Sequence, residues 1–404
     1  MHLLHLPATL SALTFAVALP TPASSPSSSP LPLLIWHGLG DTYDADGLHS
    51  TGDLAQEVYP GTYVYYIRTD DDSGTDRKNT FFGNLTTQIE QVCEDIHTDP
   101  GLNWPDDGTA ELRVDALGFS QGGQFLRGLL QRCEGLKVRS LVTFGSQHNG
   151  IEQFQHCGTF DFLCKGATAL VKGNAWTDYV QNTVVPAQYY RTINQTTGLP
   201  TDDYLRASNF IADVNNEREA KNEIYAERIA AVENFAMYVF NDDVTVIPRD
   251  SGWFAEVNTT SGATTPLRQR QLYKEDWLGL KKLDEKGGLH FRNASGGHME
   301  LDDKVLRKAF GDFFGPEHEK ARMSDAWEAV STKQQDPILR DYPGLPQSGF
   351  TSNRVIAHNV DAPPASLWQA WAWYLEDRTI GFVADLRRGW AEARPLSRRP
   401  LYAV

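Results

Sequence analysis

The segment "ELRVDALGFSQGGQFLRGLLQRC", residues 111–133, is the part of the sequence that decides the fold. Its first half alternates apolar and polar residues as a strand does, and the apolar residues from Phe125 to Leu130 recur at the period of a helix. Between the two halves lies the pattern G-x-S-x-G, formed by Gly118, Ser120 and Gly122. After a strand and before a helix, this pattern is typical of a sharp turn that exposes a nucleophilic serine. We therefore interpret Ser120 as a candidate nucleophile.

Strand and helix patterns alternate along much of the chain. Helical periods occur at Thr86–His97 and Asp302–Phe314. Apolar runs predict strands at the start of 31–41 and within 62–68, 112–118, 138–145, 234–240 and 288–293. Such alternation predicts an α/β fold with a doubly wound, mostly parallel sheet and helices on both faces.

The sequence divides into three expected parts, the second of which contains an insertion. Residues 1–22 are expected to be a signal peptide, and residues 31–314 the catalytic body. Mixed aromatic and polar helical patterns interrupt the alternation at about 150–230, which predicts a helical cap inserted over the carboxyl edge of the sheet. Residues 315–404 form a polar, Pro- and Gly-punctuated and then Trp-rich extension to which the sequence assigns no role.

Several features favour passage through the secretory pathway. The apolar core from Leu10 to Leu19 is shorter than the roughly 20 residues of a membrane span, although no Lys or Arg precedes it. Four glycosylation sequons begin at Asn84, Asn194, Asn258 and Asn293. Two disulfides are expected among Cys93, Cys133, Cys157 and Cys164, and composition alone leaves three pairings open. No metal site is expected from these cysteines.

The charge of the chain excludes some partners. A formal net charge of −15 argues against nucleic acid and against anionic membrane surfaces, since both require clustered Lys and Arg. The Trp-rich stretch near the end is interrupted by Glu376, Asp377 and Arg378, so no transmembrane span is expected there.

A nucleophilic serine requires an acid and a base. A histidine must accept the serine proton and a carboxylate must orient that histidine, and in folds of this kind they follow the serine in the order acid, then histidine. Asp243 follows the strand pattern of 234–240 and is the predicted acid, with its neighbour Asp242 as the alternative. His298, in a glycine-flanked loop before a helix, is the predicted base.

Other polar residues near these motifs have simpler interpretations. His290 lies in a strand pattern, His148 follows another strand, and His318 lies in the polar extension, so each is a weaker candidate base. Glu300, Asp302 and Asp303 resemble a metal-binding cluster, but Asp302 is better explained as a helix cap. For the oxyanion, we expect the backbone N–H groups of Gln121 and of Leu39 in "HGLG", with His37 in a structural role.

The motifs together resemble the palmitoyl-protein thioesterases, specifically the lysosomal type 1 enzymes of the α/β-hydrolase superfamily. The similar blocks are "LPLLIWHGLGD", "GFSQGGQFLRGLLQRC", "FGSQHNGI", "FIADVNNERE", "VIPRDSGWF", "LYKEDWLGLKKLD" and "GGHMEL", in order over about residues 31–314. The family's nucleophile, acid and base fall on Ser120, Asp243 and His298, and its oxyanion donors fall on Leu39 and Gln121.

The resemblance implies cofactor-free hydrolysis of long-chain fatty acyl thioesters, such as S-palmitoyl proteins and palmitoyl-CoA, in a lysosome or vacuole. It also implies the disulfides Cys93–Cys133 and Cys157–Cys164. The chain departs from the family in a longer loop at 99–110, in the lack of two adjacent cysteines after "HGLGD", and in the extension after Phe314.

Two other functions share these motifs. A lipase or general carboxylesterase uses the same groups, and a catalytically silent relative would bind lipid or a partner through the cap. A long acyl chain requires an apolar groove, and the cap stretch "NAWTDYVQNTVVPAQYY" is apolar enough to supply one. The candidate acyl-binding residues are Trp176, Tyr179, Val180, Val184, Val185 and Tyr189.

Overall fold

The computed structural model describes residues 29–102, 104, 111–153, 162–171 and 173–316. The expected signal peptide, residues 317–404, His318, Cys157 and the side chain of Cys164 lie outside this described part. The predictions that concern them, including the Cys157–Cys164 disulfide, are therefore not addressed by the structure.

The centre of the protein is a six-stranded sheet in which every neighbouring pair of strands is parallel. The strands of the described chain are β1 (Leu33–Trp36), β2 (Val64–Tyr66), β3 (Leu112–Phe119), β4 (Leu136–Phe144), β5 (Asn234–Phe240), β6 (Glu256–Val257), β7 (Thr264–Thr265) and β8 (Leu289–Ala294). The order in the sheet is β2-β1-β3-β4-β5-β8, and β6 and β7 form a separate antiparallel pair.

Helices occupy most connections between the strands of the sheet. They are α1 (Asp46–Val58), α2 (Ser73–Asn79), α3 (Leu85–Thr98), α4 (Gln121–Arg132), α5 (Phe162–Val171), α6 (Asp178–Thr183), α7 (Val185–Gln188), α8 (Asp202–Ala207), α9 (Ile211–Val214), α10 (Glu223–Ala231), α11 (Gln271–Lys274), α12 (Leu280–Glu285) and α13 (Asp303–Phe313). Short 3-10 turns cover Arg249–Trp253 and Leu267–Gln269.

The sheet is buried on both faces, which explains the continuous apolar runs in its strands. In β1, Leu34 and Trp36 belong to one hydrophobic cluster, whereas Leu33 and Ile35 belong to another on the opposite face. The first cluster includes side chains of α3, α4, α10 and α12, and the second includes side chains of α1 and α13. Parallel sheets are normally covered in this way. The predicted doubly wound α/β fold is therefore confirmed.

The predicted elements agree closely with the observed ones. The strand at 234–240 is β5, with the same limits, whereas the strand predicted at 62–68 is shortened to Val64–Tyr66. The helix predicted from Asp302 begins at Asp303, because the Asp302 carboxylate accepts the N–H of Val305 at 2.8 Å and caps α13.

Between β4 and β5 the chain leaves the sheet and forms α5 to α10. A buried ion network fastens this segment to the loop that carries β6. The Arg191 guanidinium binds Glu217 at 2.8 Å and Glu256 at 2.7 Å, and Arg270 binds Glu256 at 3.1 Å. Two guanidinium groups thus face two carboxylates, so each buried charge has a partner.

One disulfide joins two helices on the same face of the sheet. Cys93 in α3 and Cys133, directly after α4, are bonded with their Cα atoms 5.5 Å apart. The cysteine count left three ways to pair the four residues, and this bond occurs in one of them. It confirms the Cys93–Cys133 bond that the family resemblance implied. Within the described ranges, no helix combines the length and apolar character needed to cross a bilayer.

Candidate active site

Ser120 occupies the turn between β3 and α4. Its backbone has φ 49° and ψ −118°, a positive φ that a residue with a side chain rarely adopts. The Ser120 N–H donates to the carbonyl of Phe144 at 2.7 Å, and the Ser120 carbonyl accepts the N–H of Gly123 at 3.1 Å. Strain of this kind typically costs about 1–3 kcal/mol and is held by surrounding contacts. The turn therefore presents the hydroxyl at the carboxyl edge of the sheet.

The two glycines of the motif are required by close packing. A Cβ atom on Gly118 would lie 2.5 Å from the Cα of Gly123. On Gly122 it would lie 2.2 Å from Cδ1 of Trp36 and 2.4 Å from the Trp36 carbonyl oxygen. Real Cβ atoms do not approach other atoms so closely. The glycines thus let α4 begin directly against β1 and β3.

His298 lies in the loop that follows β8, and its Nε2 is 3.0 Å from Oγ of Ser120. The side chain is 10% exposed and packs edge-on against Phe240, with the ring centroids 6.1 Å apart. The Glu300 carboxylate accepts the N–H of Gly297 at 2.9 Å and so braces the loop.

Asp243 supports the other side of the His298 ring. Its Oδ2 lies 2.7 Å from Nδ1 of His298, and its Oδ1 accepts the N–H groups of Thr245 at 2.8 Å and Val246 at 3.0 Å. The Asp243 side chain is 1% exposed, whereas Asp242 is exposed to solvent. A carboxylate only accepts hydrogen bonds, so Nδ1 of His298 carries its proton and Nε2 is left as the acceptor for the serine hydroxyl.

Two other candidate histidines have partners elsewhere. His290 contacts Asn234 at 3.1 Å, and the buried His148 contacts Thr143 at 3.0 Å. Burial, together with the nearby charge of Arg127, holds the pKa of His148 well below its usual value. Among the histidines in the described part of the chain, the Ser120 hydroxyl is hydrogen-bonded by His298 alone.

The loop between β1 and α1 passes directly against Ser120. A Cβ atom on Gly38 would lie 3.3 Å from the Cβ of Ser120. The N–H of Leu39, in this loop, and that of Gln121, the first residue of α4, have no hydrogen-bond partner within the described residues. Unpaired backbone N–H groups beside a nucleophile are the elements of an oxyanion hole.

Asp76 anchors this loop and was missed in the sequence because α2 resembles a polar surface segment. Its buried carboxylate accepts from Nε2 of His37 at 3.0 Å, from the N–H of Tyr43 at 2.9 Å and from the N–H of Thr69 at 2.8 Å. Burial opposes the charge of His37, but the hydrogen bond and charge of Asp76 outweigh it and raise the pKa of His37. Burial also raises the pKa of Asp41, in the same loop, to about 6.

The candidate acyl-binding residues lie in different environments. Val180 and Val184 are buried in a small cluster of this segment, Val185 and Tyr189 are buried in the main core, and Trp176 is partly buried against both. Tyr179 is 67% exposed. A groove along these side chains stays a prediction.

The sequons also differ in their surroundings. Asn194 and Asn293 are exposed. In contrast, Nδ2 of Asn84 donates to Asn182 at 2.9 Å and Nδ2 of Asn258 donates to the Gln195 carbonyl at 2.6 Å. A glycan is attached at Nδ2, so Asn194 and Asn293 are the more accessible acceptors.

Comparison with known proteins gives the family. Residues 32–298 match the family model described as palmitoyl protein thioesterase. Palmitoyl-protein thioesterase 1 of Caenorhabditis elegans is 34% identical over 278 residues, which cover 68% of this chain and 89% of that protein. A palmitoyl-protein thioesterase-dolichyl pyrophosphate phosphatase fusion of Schizosaccharomyces pombe is 35% identical over 292 residues, which cover 71% of this chain and 44% of the fusion. Among solved structures, acyl-protein thioesterase 2 of Zea mays has a TM-score of 0.31 at 13% identity, covering 72% of this chain and 96% of that one. With well over half of its length matched by the family model, this chain belongs to the palmitoyl protein thioesterase family.

Proposed function

We propose that this chain hydrolyses long-chain fatty acyl thioesters, palmitoyl groups on protein cysteines above all, through a triad of Ser120, His298 and Asp243. The observation that carries the proposal is the continuous pair of hydrogen bonds, 3.0 Å from Ser120 to His298 and 2.7 Å from His298 to Asp243. Membership of a family whose relatives are named palmitoyl-protein thioesterases supports the substrate class.

In the first half-reaction, Nε2 of His298 accepts the hydroxyl proton while Oγ of Ser120 attacks the thioester carbonyl carbon. The N–H groups of Leu39 and Gln121 stabilise the negative oxygen of the tetrahedral intermediate. The C–S bond then breaks, and the departing cysteine sulfur takes the proton from His298. The products are a free cysteine and an acyl ester of Ser120.

The second half-reaction repeats these steps with water. Nε2 of His298 accepts a proton from the water, whose oxygen attacks the acyl-Ser120 carbonyl. Collapse of the intermediate breaks the ester bond and returns the proton to Ser120, which releases the fatty acid. Asp243 keeps the proton of His298 on Nδ1 and stabilises the imidazolium that forms in both halves. Every step uses groups of this chain and water.

We also propose that residues at about 150–230 form the cap over this site, within a catalytic body of 31–314, and that apolar cap residues contact the acyl chain. The segment contains short helices with a small apolar cluster around Val180 and Val184. It is also close to the site, because the N–H of Val185 donates to the carbonyl of Phe81, whose ring lies against Gly40 in the loop between β1 and α1.

We further propose that the protein acts in the lysosome or vacuole, or after secretion, on S-acylated proteins and acyl thioesters. The apolar N-terminal segment favours entry into the secretory pathway. The exposed Asn194 and Asn293 are suitable glycan acceptors. The Cys93–Cys133 disulfide suits an oxidising compartment.

The test compares the purified full chain with its Ser120→Ala variant. We expect turnover of an S-palmitoyl peptide and of palmitoyl-CoA by the wild type, together with fluorophosphonate labelling of Ser120, and neither in the variant. Faster turnover of matched oxygen esters would instead support a lipase or carboxylesterase. Lack of both labelling and turnover would support the catalytically silent, lipid- or partner-binding alternative.

A further inference from the structure

Thr80 contacts both segments that carry the proposed oxyanion donors. It follows α2 and is 2% exposed. Its Oγ1 accepts the N–H of Gly40 at 2.8 Å, and its carbonyl oxygen accepts Nε2 of Gln121 at 3.3 Å. Gly40 directly follows Leu39 in the chain. A single buried residue thus connects the two sides of the proposed oxyanion hole.

The Thr80 hydroxyl has a defined orientation. It donates its hydrogen to the carbonyl of Arg77 at 2.7 Å, which leaves its lone pairs for the N–H of Gly40. The hydroxyl is therefore oriented by a carbonyl of α2, independently of its hydrogen bond to the loop. The ring of Phe81 would lie 3.3 Å from a Cβ atom on Gly40, so it restricts the loop from the same side.

The direction of the Leu39 N–H follows from the peptides on either side of it. In the planar peptide between Gly38 and Leu39, the N–H points opposite to the Gly38 carbonyl. That carbonyl is within 3.1 Å of Nδ1 of His37 and accepts the N–H of Asp41 at 3.3 Å. The next peptide is fixed at its N–H group by Thr80. Leu39 therefore lies between two anchored peptides, and its N–H stays available for a ligand.

We propose that Thr80 is a positioning residue whose hydroxyl fixes the Leu39 N–H for the negative oxygen of the tetrahedral intermediate. This inference rests on the proposed function. Thr80 acts through the loop, because its hydrogen bonds within the described residues go to Gly40, Arg77 and Gln121 and not to Ser120 or His298. Its removal should therefore slow the chemical step more than it weakens substrate binding, since an oxyanion donor acts mainly in the transition state.

The test uses two variants of nearly the same shape. Thr80→Val replaces the hydroxyl by a methyl group, whereas Thr80→Ser keeps it. Loss of a whole oxyanion donor costs about 10² to 10³ in kcat. We expect Thr80→Val to lower kcat by about 10- to 100-fold and to change KM by less than about threefold, because the donor is misaligned rather than removed. Thr80→Ser should stay within about threefold of the wild type in both constants.

A second measurement separates positioning from general damage to the fold. The phosphonyl oxygen of a fluorophosphonate also needs oxyanion donors, so the rate of Ser120 labelling should fall in Thr80→Val by about the same factor as kcat. Both rates are expressed per folded molecule, from the amplitude of complete labelling. Equal labelling rates in Thr80→Val and wild type would overturn the proposal, as would a Thr80→Ser variant as slow as Thr80→Val.

The labelling reaction also keeps this inference distinct from the proposed function. If the wild type reacts with the fluorophosphonate but does not hydrolyse S-palmitoyl peptides, the proposed substrate is wrong. The ratio of labelling rates between Thr80→Val and Thr80→Ser then still decides the role of Thr80. A ratio near one refutes it, and a tenfold or larger deficit in Thr80→Val supports it.

Discussion

Replacement of Asp243 by asparagine tests the triad most directly, because the structure determines how the new amide must lie. Oδ1 of Asp243 accepts two backbone N–H groups, from Thr245 at 2.8 Å and Val246 at 3.0 Å. Only the amide oxygen of asparagine can take that place, since an NH₂ group there would face two donors and lose both hydrogen bonds. The NH₂ group must therefore point at Nδ1 of His298, where a carboxylate oxygen now lies at 2.7 Å.

This orientation reverses the tautomer of His298. Nδ1 would accept a hydrogen bond and Nε2 would carry the proton, so Nε2 could no longer accept the proton of Ser120. An inverted tautomer typically lowers kcat by about 10⁴, which corresponds to about 5 kcal/mol in the barrier. We expect Asp243→Asn to show this loss while KM changes little and the melting temperature stays within a few degrees, because the two backbone hydrogen bonds remain.

The assay is steady-state hydrolysis of an S-palmitoyl peptide, with the melting temperature of each variant measured alongside. Asp242→Asn is the matched control, since it makes the same change at the exposed neighbouring position and should keep nearly full activity. Retention of more than a tenth of wild-type kcat in Asp243→Asn would refute the reasoning. Near-normal activity in Asp243→Asn, together with a large loss in Asp242→Asn, would move the acid to Asp242.

Three further predictions concern stability and specificity. Because the pKa of His37 is raised in the folded state, protonation of His37 stabilises the fold. That contribution is fully present below about pH 6.5 and is lost as pH rises through the pKa of His37 in the folded protein. The pKa of Asp41 is raised to about 6, so acidification towards about pH 4 also favours the folded state. Melting temperatures should therefore be higher at pH 5 than at pH 8, and Asp41→Asn should narrow that difference; an unchanged difference would exclude Asp41 as a contributor. Gly122→Ala should prevent folding or lower the free energy of denaturant unfolding by about 3 kcal/mol or more, because its Cβ would meet the backbone of Trp36. Gly311→Ala has open space around its Cβ and should be neutral or slightly stabilising. On acyl thioesters, kcat/KM should rise from about eight to about sixteen carbons, at no more than about 0.8 kcal/mol per methylene, and thioesters should exceed matched oxygen esters; a maximum at acetyl or butyryl would contradict the long-chain assignment.

The sequence predicted those parts of the site that have a local pattern. Ser120 lies in a motif whose glycines are required because neighbouring atoms leave no room for a Cβ atom. Asp243 and His298 each follow a strand with a clear apolar pattern. The order of the three along the chain then limited the choice among many carboxylates and histidines. Local patterning was thus enough to find Ser120, His298 and Asp243, which two hydrogen bonds join in the structure.

The residues that support the site were not predicted, for a physical reason. Asp76 and Thr80 lie in or just after a short polar helix, "SGTDRKN", whose composition is that of an exposed surface. Both are nevertheless buried, because they bind the loop that follows β1 some forty residues earlier. A buried polar residue is recognised by its partner, and a partner so distant in sequence leaves no periodic signal. The environments of the cap residues, such as Tyr179 and Val180, depend on tertiary packing in the same way.

The distance along the chain between the two halves of the site affects how the protein gains activity during biosynthesis. Ser120 and His298 are 178 residues apart, and His298 follows β8, which is both the last strand of the described sheet and one of its edges. A nascent chain that has reached α10 contains Ser120, the proposed nucleophile, but neither Asp243 nor His298. Because contacts between residues far apart in the sequence form slowly, the return of enzymatic turnover after denaturation should lag behind the return of helical circular dichroism. Enzymatic activity in this protein should therefore report the final step of sheet assembly. A fragment that ends before β8 should be inactive even if the turn that carries Ser120 has folded.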